Sequence, residues 1–319
     1  MKKIFWVLPL CLLAGLAAAQ VSVQEYKVPS GHRVHDVWAD AAPDGPVWIS
    51  AQGSGNLGIL DPKSGKIEFV PLGRGSSPHG VTAGHDGAPW LTDGGQNAIV
   101  RVDPKTRAVK VYPLPEGSSY ANLNTAIFDL KGVHWFTGQS GIHGRLDPRS
   151  GKMEVFDSPK GRGSYGIHVT PAGEVYYVSL AGSYLGKIDL ASGKTTVIEP
   201  PTPRQGARRV WTDSKGEVWV SEWNSGNLSR YEPRTGKWSK WQAPGDDPHL
   251  YAVYVDETDK VWTSEWSAQV MLRFDPAAER FETFRSSSSR SNVRQIHGRK
   301  GEVWTPESGA DKIVVYRYK

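Results

Sequence analysis

The sequence predicts an all-β fold, a seven-bladed β-propeller of four-stranded antiparallel blades, on three observations. Large aromatics recur at Trp48, Trp90, Trp135, Tyr176, Trp219, Trp262 and Trp304, spaced 41 to 45 residues apart. Each unit repeats one pattern: an alternating apolar segment, a Gly or Asp turn, a "VWxS/T" segment, a polar loop, and a third strand such as "AIVRVDP" or "NLSRYEP". A fourth strand such as "KIEFVPL" or "KMEVF" follows, and four short antiparallel strands per repeat make one propeller blade.

The turn between the third and fourth strands is written in consistent chemistry, with Asp61-Pro62, Asp103-Pro104, Asp147-Pro148, Glu232-Pro233 and Asp275-Pro276, often closed by Ser-Gly or Thr-Gly. Proline presets φ, the acid caps the turn and glycine takes the left-handed position. The last unit, "RQIHGRKGEVWTPESGADKIVVYRYK", stops after three strands, whereas "QEYKVPSG" at residues 24–31 reads as a fourth strand with no blade before it. The N-terminal strand is therefore expected to complete the last blade and close the ring without a free edge. Each blade buries its faces only against its neighbours, so residues 20–319 are read as one domain.

Residues 1–19 read as a signal peptide, with Lys2 and Lys3, an apolar run from Ile4 to Leu16, and Ala17-Ala18-Ala19 before Gln20. The apolar run is shorter than the roughly 20 residues a spanning helix needs. The expectation is a periplasmic or secreted monomer with no membrane span. Cys11 is the only cysteine and lies in this segment, so the mature chain would carry no thiol or disulfide. The formal charge of +5 falls to +3 without Lys2 and Lys3, and the basic residues are scattered, which argues against a nucleic-acid partner. The sequence contains no "HExxH", Gly-rich phosphate loop, "GxSxG" elbow or cysteine nucleophile.

In a propeller the first strand of each blade lines the central channel, and its start lies at the same end as the finish of strand two. That geometry selects two sets of residues. His35, His79, Asn124, Tyr165, Arg208, Tyr251 and Arg294 enter strand one of the successive blades. Three residues past each core aromatic stand Ala51, Asp93, Gly138, Ser179, Glu222, Glu265 and Glu307. The repeated Ser-Glu-Trp of "VWVSEW" and "VWTSEW" thus places Glu222 and Glu265 beside Trp223 and Trp266 at the channel mouth, with Glu307 continuing the row. Two readings stay open: the acids clamp the neighbouring arginines, or they form a rim for a small-molecule ligand or a divalent cation. Trp223 and Trp266 are expected to form a stacking surface.

The blade "SPHGVTAGHDGAPWLTDGGQNAIVRVDP", Ser77 to Pro104, resembles the streptogramin B lyase (virginiamycin B lyase) family, and the resemblance extends over essentially the whole mature chain. It implies a seven-bladed propeller and a magnesium-assisted elimination that opens a cyclic depsipeptide. The positions it implies for catalysis hold Tyr251, Asn292, Arg294 and Ser308 here, and none of these matches the His and Glu residues of the family. His249, two residues before Tyr251, and Glu307, beside Ser308, are the substitutes at hand, with His79 as a third candidate catalytic residue. Six-bladed calcium lactonases and eight-bladed quinone dehydrogenases, the latter sharing the "TGKW" of Thr235 to Trp238, differ in blade number. The expected function is a lyase-like propeller binding a cyclic or anionic small molecule at the channel mouth. The alternatives are a true carbon–oxygen lyase with a rearranged site, with Mg as the implied cofactor, and an interaction scaffold presenting Trp223 and Trp266.

Overall fold

The computed structural model describes residues 21–318, so the expected signal peptide, Cys11 and Gln20 lie outside the described residues. Seven four-stranded antiparallel sheets follow one another along the chain. Blade one comprises Val34–Ala39, Val47–Ala51, Asn56–Leu60 and Ile67–Pro71, in that order from the inside out, and the next five blades repeat it. Blade seven takes only three strands from the C-terminal end, His297–Arg299, Glu302–Glu307 and Lys312–Arg317. Its outermost strand is Ser22–Lys27, in register from Ser22 opposite Arg317 to Lys27 opposite Lys312. Tyr26 anchors this closure: its ring stacks on Trp304 at 5.6 Å and its hydroxyl donates to the Pro62 carbonyl of blade one at 3.0 Å.

The recurring aromatics are buried between blades, and in blades two, three, five and six the indole N–H is matched to an acid in the turn between strands one and two. Trp135 Nε1 donates to Asp129 at 2.9 Å, Trp219 to Asp213 at 3.0 Å and Trp262 to Asp256 at 2.8 Å. A buried indole needs such a partner, and the fixed spacing supplies it in blade after blade. Across the ladder stands an arginine of strand three: Arg145 lies over Trp135, Arg230 over Trp219 and Arg273 over Trp262, at 5.3 to 5.5 Å. The outer turns use the chemistry expected of them. Asp61 accepts from Lys63 N and Ser64 Oγ, while Gly65 and Gly151 hold φ near +71° and +73°. Where the repeat lacks that glycine, Arg107 and Glu279 take the left-handed conformation instead.

A belt of hydroxyl groups joins the blades around the channel. In strand two, the residue before the expected rim position accepts from a strand-one N–H of its own blade and donates to a strand-one carbonyl of the next. Ser50 bridges Asp36 N and His79 O at 2.8 and 2.6 Å, and Thr92 bridges Gly80 N and Asn124 O at 2.8 and 2.5 Å. Thr137, Ser221 and Ser264 repeat the bridge to Tyr165 O, Tyr251 O and Val293 O. Gly80 is required by this closeness, because a Cβ there would stand 2.7 Å from Asn124 O. Val178 and Pro306 break the belt in blades four and seven. There the joins are Thr212 Oγ1 to Val169 O at 2.9 Å, and Val37 N to Gln295 Oε1 at 2.9 Å.

The far end of the channel is filled by rings. Trp38 stacks on His297 at 3.7 Å, His168 on Trp211 at 3.9 Å, and Tyr254 closes against Trp211 at 4.9 Å. Burial pushes the imidazoles of His168 and His297, and of His134 between Phe128 and Trp90, down to about 3 from 6.5. An unfolded chain binds protons on these residues that the folded chain refuses. Their contribution to stability is therefore complete above pH 6.5 and is lost as pH falls toward 3, by about 1.4 kcal/mol per pH unit for each. Neither nitrogen of His134 has a hydrogen-bond partner. His134→Leu is therefore expected to raise stability at pH 7 by about 1–3 kcal/mol, and to flatten the acid slope by one proton. Urea denaturation at pH 7 and pH 5 measures both.

Candidate functional site

In blades one to six the first strand is interrupted by a bulge immediately after its first ladder pair, as between Val34 and Val37 or Leu250 and Val253. A bulged residue is freed from the ladder and its side chain is re-aimed. The residues at this point are His35, His79, Asn124, Tyr165, Arg208 and Tyr251. In blade seven Arg294 follows the single bridge from Val293 to Glu307.

These side chains converge. His35 and His79 lie 3.9 Å apart, and His79 Nε2 is 3.2 Å from the Asn124 amide nitrogen. The Tyr165 and Tyr251 hydroxyls share a 2.5 Å hydrogen bond. The Arg208 guanidinium lies 3.6 Å over Tyr251 and 4.2 Å over Trp223, and Arg294 lies 4.8 Å over Trp266. Trp223 and Trp266 are half-buried and meet at 5.8 Å and 63°. His249 packs edge-on against Trp223 at 4.9 Å.

Beneath this layer lies an ion pair that the sequence pattern did not disclose. Arg209 donates to both Asp36 oxygens at 3.1 and 3.2 Å and to Thr125 Oγ1 at 2.6 Å, while His35 Nδ1 is 2.7 Å from Asp36. Burial raises Asp36 against the pull of Arg209. Burial, reinforced by Arg209, Arg294 and Arg208, drives His35 well below its ordinary value, and burial with the neighbouring His35 does the same to His79. Both imidazoles are neutral at physiological pH. Burial pushes the Tyr165 phenol up to about 12. At Tyr251 burial acts in the same direction, but Arg208, Arg209 and Arg294 outweigh it and hold that phenol below its usual value.

The mouth therefore has two halves. Blades one to three supply neutral donors and acceptors, and blades five to seven supply cations on an aromatic floor. Among the described residues neither Arg208 nor Arg294 forms a salt bridge. The hydrogen bond recorded for the Arg294 side chain runs to Ser308 Oγ at 3.3 Å, and Arg208 Nε has no partner.

The acids of the Ser-Glu-Trp repeat take neither of the roles expected of them. Glu222 is fully buried and accepts from Ser225, Asn227 and Ser229 of its own blade; Glu265 accepts from the backbone N–H groups of His249, Ser267 and Ala268 at 2.8, 2.8 and 2.5 Å. Asp93 does the same work for Ser77 N and Gln96 N. Glu307 is buried and accepts from Ser286. These carboxylates tie down the loops that lead into strand one and out of strand two, and no salt bridge joins them to Arg208 or Arg294. Among the described residues, no hydrogen bond or ring contact joins His249, His79 and Glu307 into one constellation.

The magnesium ion implied by the resemblance needs oxygen lone pairs where Asn292, Arg294 and Ser308 stand. Here Arg294 Nε donates to Ser308, and Ser308 donates to Asn292 O at 2.7 Å. A guanidinium offers only donors and a positive charge, so these residues do not suit a hard cation. His35, Asp36 and His79 bring one ligand atom each within 4.8 Å of one another. The Asp36 charge is already matched by Arg209, and the three nearby guanidiniums oppose a metal there as well.

A 460 Å³ cavity opens near the other end of the channel, lined by Leu130, Pro171 and Tyr254 with Asp256, Glu257 and Asp259. Its carboxylates are engaged: Asp256 with Trp262, Glu257 with Tyr318 and Asp259 with Ser214. No helix among the described residues is long and apolar enough to cross a membrane.

Residues 14–271 match the virginiamycin B lyase family. Among solved structures, virginiamycin B lyase from Staphylococcus aureus aligns with a TM-score of 0.84 at 20% identity, covering 93% of this chain and 99% of that one. A catalytically inactive variant of the same lyase with quinupristin aligns at 0.85 and 20% identity, over 93% and 99%. The extracellular domain of a one-component system from B. thetaiotaomicron aligns at 0.73 and 15% identity, covering 93% of this chain and 40% of that one. No curated protein matches the sequence. At these identities the structural likeness establishes the propeller fold. The loop-clamping role of the acids has a direct check: Glu265→Ala leaves three backbone donors unpaired and is expected to lower stability by at least about 2 kcal/mol in chemical denaturation, whereas a solvent-facing carboxylate would cost almost nothing.

Proposed function

The chain belongs to the virginiamycin B lyase family, and on that premise we propose that it is an exported, lyase-like propeller that binds a small anionic ligand at the channel mouth. The observation that carries this reading is the pair of guanidiniums, Arg208 and Arg294, stacked on Tyr251, Trp223 and Trp266 with no carboxylate among the described residues paired to them. A half-buried arginine without a counter-ion is a charge awaiting one, and its planar fork matches a carboxylate bidentately. Stacking fixes the plane of Arg208, so little freedom is lost when an anion docks. In this reading the catalytic residues of the family's lyases are replaced rather than retained, with Tyr251, Asn292, Arg294 and Ser308 at the positions in question.

One observation favours a second reading, an active carbon–oxygen lyase with a rearranged site. The Tyr165–Tyr251 pair holds two bonded phenols whose proton affinities are pushed in opposite directions. Such a pair suits proton transfer, Tyr251 as acceptor and Tyr165 as donor.

Benzoate binding, followed by tryptophan fluorescence, tests the anion site. Arg208→Ala and Arg294→Ala are each expected to weaken it at least tenfold, as loss of a charged hydrogen bond of about 1.5–3 kcal/mol requires. Unchanged affinity, or equal affinity for benzylamine, sinks the proposal. Quinupristin opening that Tyr251→Phe abolishes would transfer the case to the second reading. For export, the mature protein in a periplasmic or culture fraction is expected to begin at Gln20 by mass spectrometry, and an intact Met1 terminus retained inside the cell contradicts it.

A further inference from the structure

The two halves of the mouth ask for a ligand with two chemistries, and we propose that the ligand is an acidic sugar, a uronic acid or a short oligosaccharide ending in one. This inference rests on the anion site proposed above and adds what the other half of the mouth selects. His35 and His79 are buried, 7% and 6% exposed, and uncharged. With Nε2 of His79 accepting from the Asn124 amide, its Nδ1 carries the proton, and that atom is buried without a partner. Asn124 holds that tautomer, its amide donating to His79 and its Oδ1 accepting from Thr125 Oγ1 at 2.6 Å, which leaves the His79 Nδ1–H as the group a ligand hydroxyl, an acceptor as well as a donor, would match.

The opposite wall selects the rest of the molecule. Trp223 and Trp266 meet at 63° and 5.8 Å, forming a corner of two half-buried indoles. A pyranose has one face of axial C–H groups that packs against such a ring, and its carboxylate leaves the ring plane toward the guanidinium edges of Arg208 and Arg294. An inorganic anion would leave the indoles and the neutral polar groups unused. An aromatic acid would use the arginines and indoles but leave the His79 Nδ1–H unsatisfied. Sites built to hydrogen-bond a hydroxyl reject analogues that lack it.

The binding of glucuronate, galacturonate and trigalacturonate, compared with glucose and benzoate by isothermal calorimetry on the mature chain, tests the class. At least one uronate is expected to bind tenfold or more tightly than both glucose and benzoate. Arg294→Gln is expected to abolish that preference over glucose. Asn124→Ala is expected to remove the preference over benzoate while benzoate binding itself persists, which also shows that the variant is folded. Benzoate bound through Arg208 and Arg294 with no uronate preferred overturns the acidic sugar but leaves the anion site standing. Glucose bound as tightly as the uronates overturns the acidic sugar, and no anion bound at all overturns both.

Discussion

The bridging hydroxyl on strand two is the contact on which the channel depends. Ser50, Thr92, Thr137, Ser221 and Ser264 each hold the bulge of their own blade and the strand-one carbonyl of the next. One side chain thus satisfies a donor and an acceptor that the bulge removes from the ladder. Without it, a residue extruded toward the channel would leave its neighbours' backbone groups buried and unpaired, which a folded chain rarely tolerates. The belt therefore permits the bulges, and the bulges aim the side chains at the mouth.

Above this scaffold the charge is distributed unevenly. Arg209 and Asp36 neutralise one another beneath the mouth, 173 residues apart in sequence and on opposite parts of the ring. Arg208, one residue earlier, lies over Tyr251 and Trp223 and keeps its charge exposed to a ligand. Two adjacent arginines thus do separate jobs because the bulge points them differently. The imidazoles on the far wall stay neutral because burial and the guanidiniums both oppose a further positive charge. The same field that suppresses protonation of His35 depresses the Tyr251 phenol, so the polarity of the whole mouth follows from its arginines.

The propeller was legible because its signals repeat: a core aromatic at a fixed phase, a Gly or Asp turn before it, and an acid-Pro turn. The closing strand was legible from what the last unit lacks. Likewise the seven residues entering strand one were found by phase alone, since a repeat converts sequence spacing into position around a ring. The role of the acids was not. Glu222 and Glu265 recur at the right phase, yet their partners are nearby loop groups, hydroxyls for one and backbone N–H for the other, and phase cannot tell a side chain turned into its loop from one turned into the channel. Nor could Asp36 and Arg209 be paired from the sequence. Their meeting across the ring depends on the bulge placing two consecutive residues of strand one, rather than alternate ones, near the axis.

Closure by Ser22–Lys27 sets an order of assembly. Its partner strand, Lys312–Arg317, is synthesised after the strands of the other six blades, so blade seven, and the contacts it makes with blades one and six, cannot be completed until it has been made. Pairings of such long range are entropically the most demanding in the chain. A ring, unlike an open row of blades, has no terminal unit that can fray while the rest stands intact. Removing either Ser22–Lys27 or Lys312–Arg317 therefore exposes edges on both sides of the gap and weakens the circle as a whole, which makes these two strands one joint structural element despite their separation in the sequence.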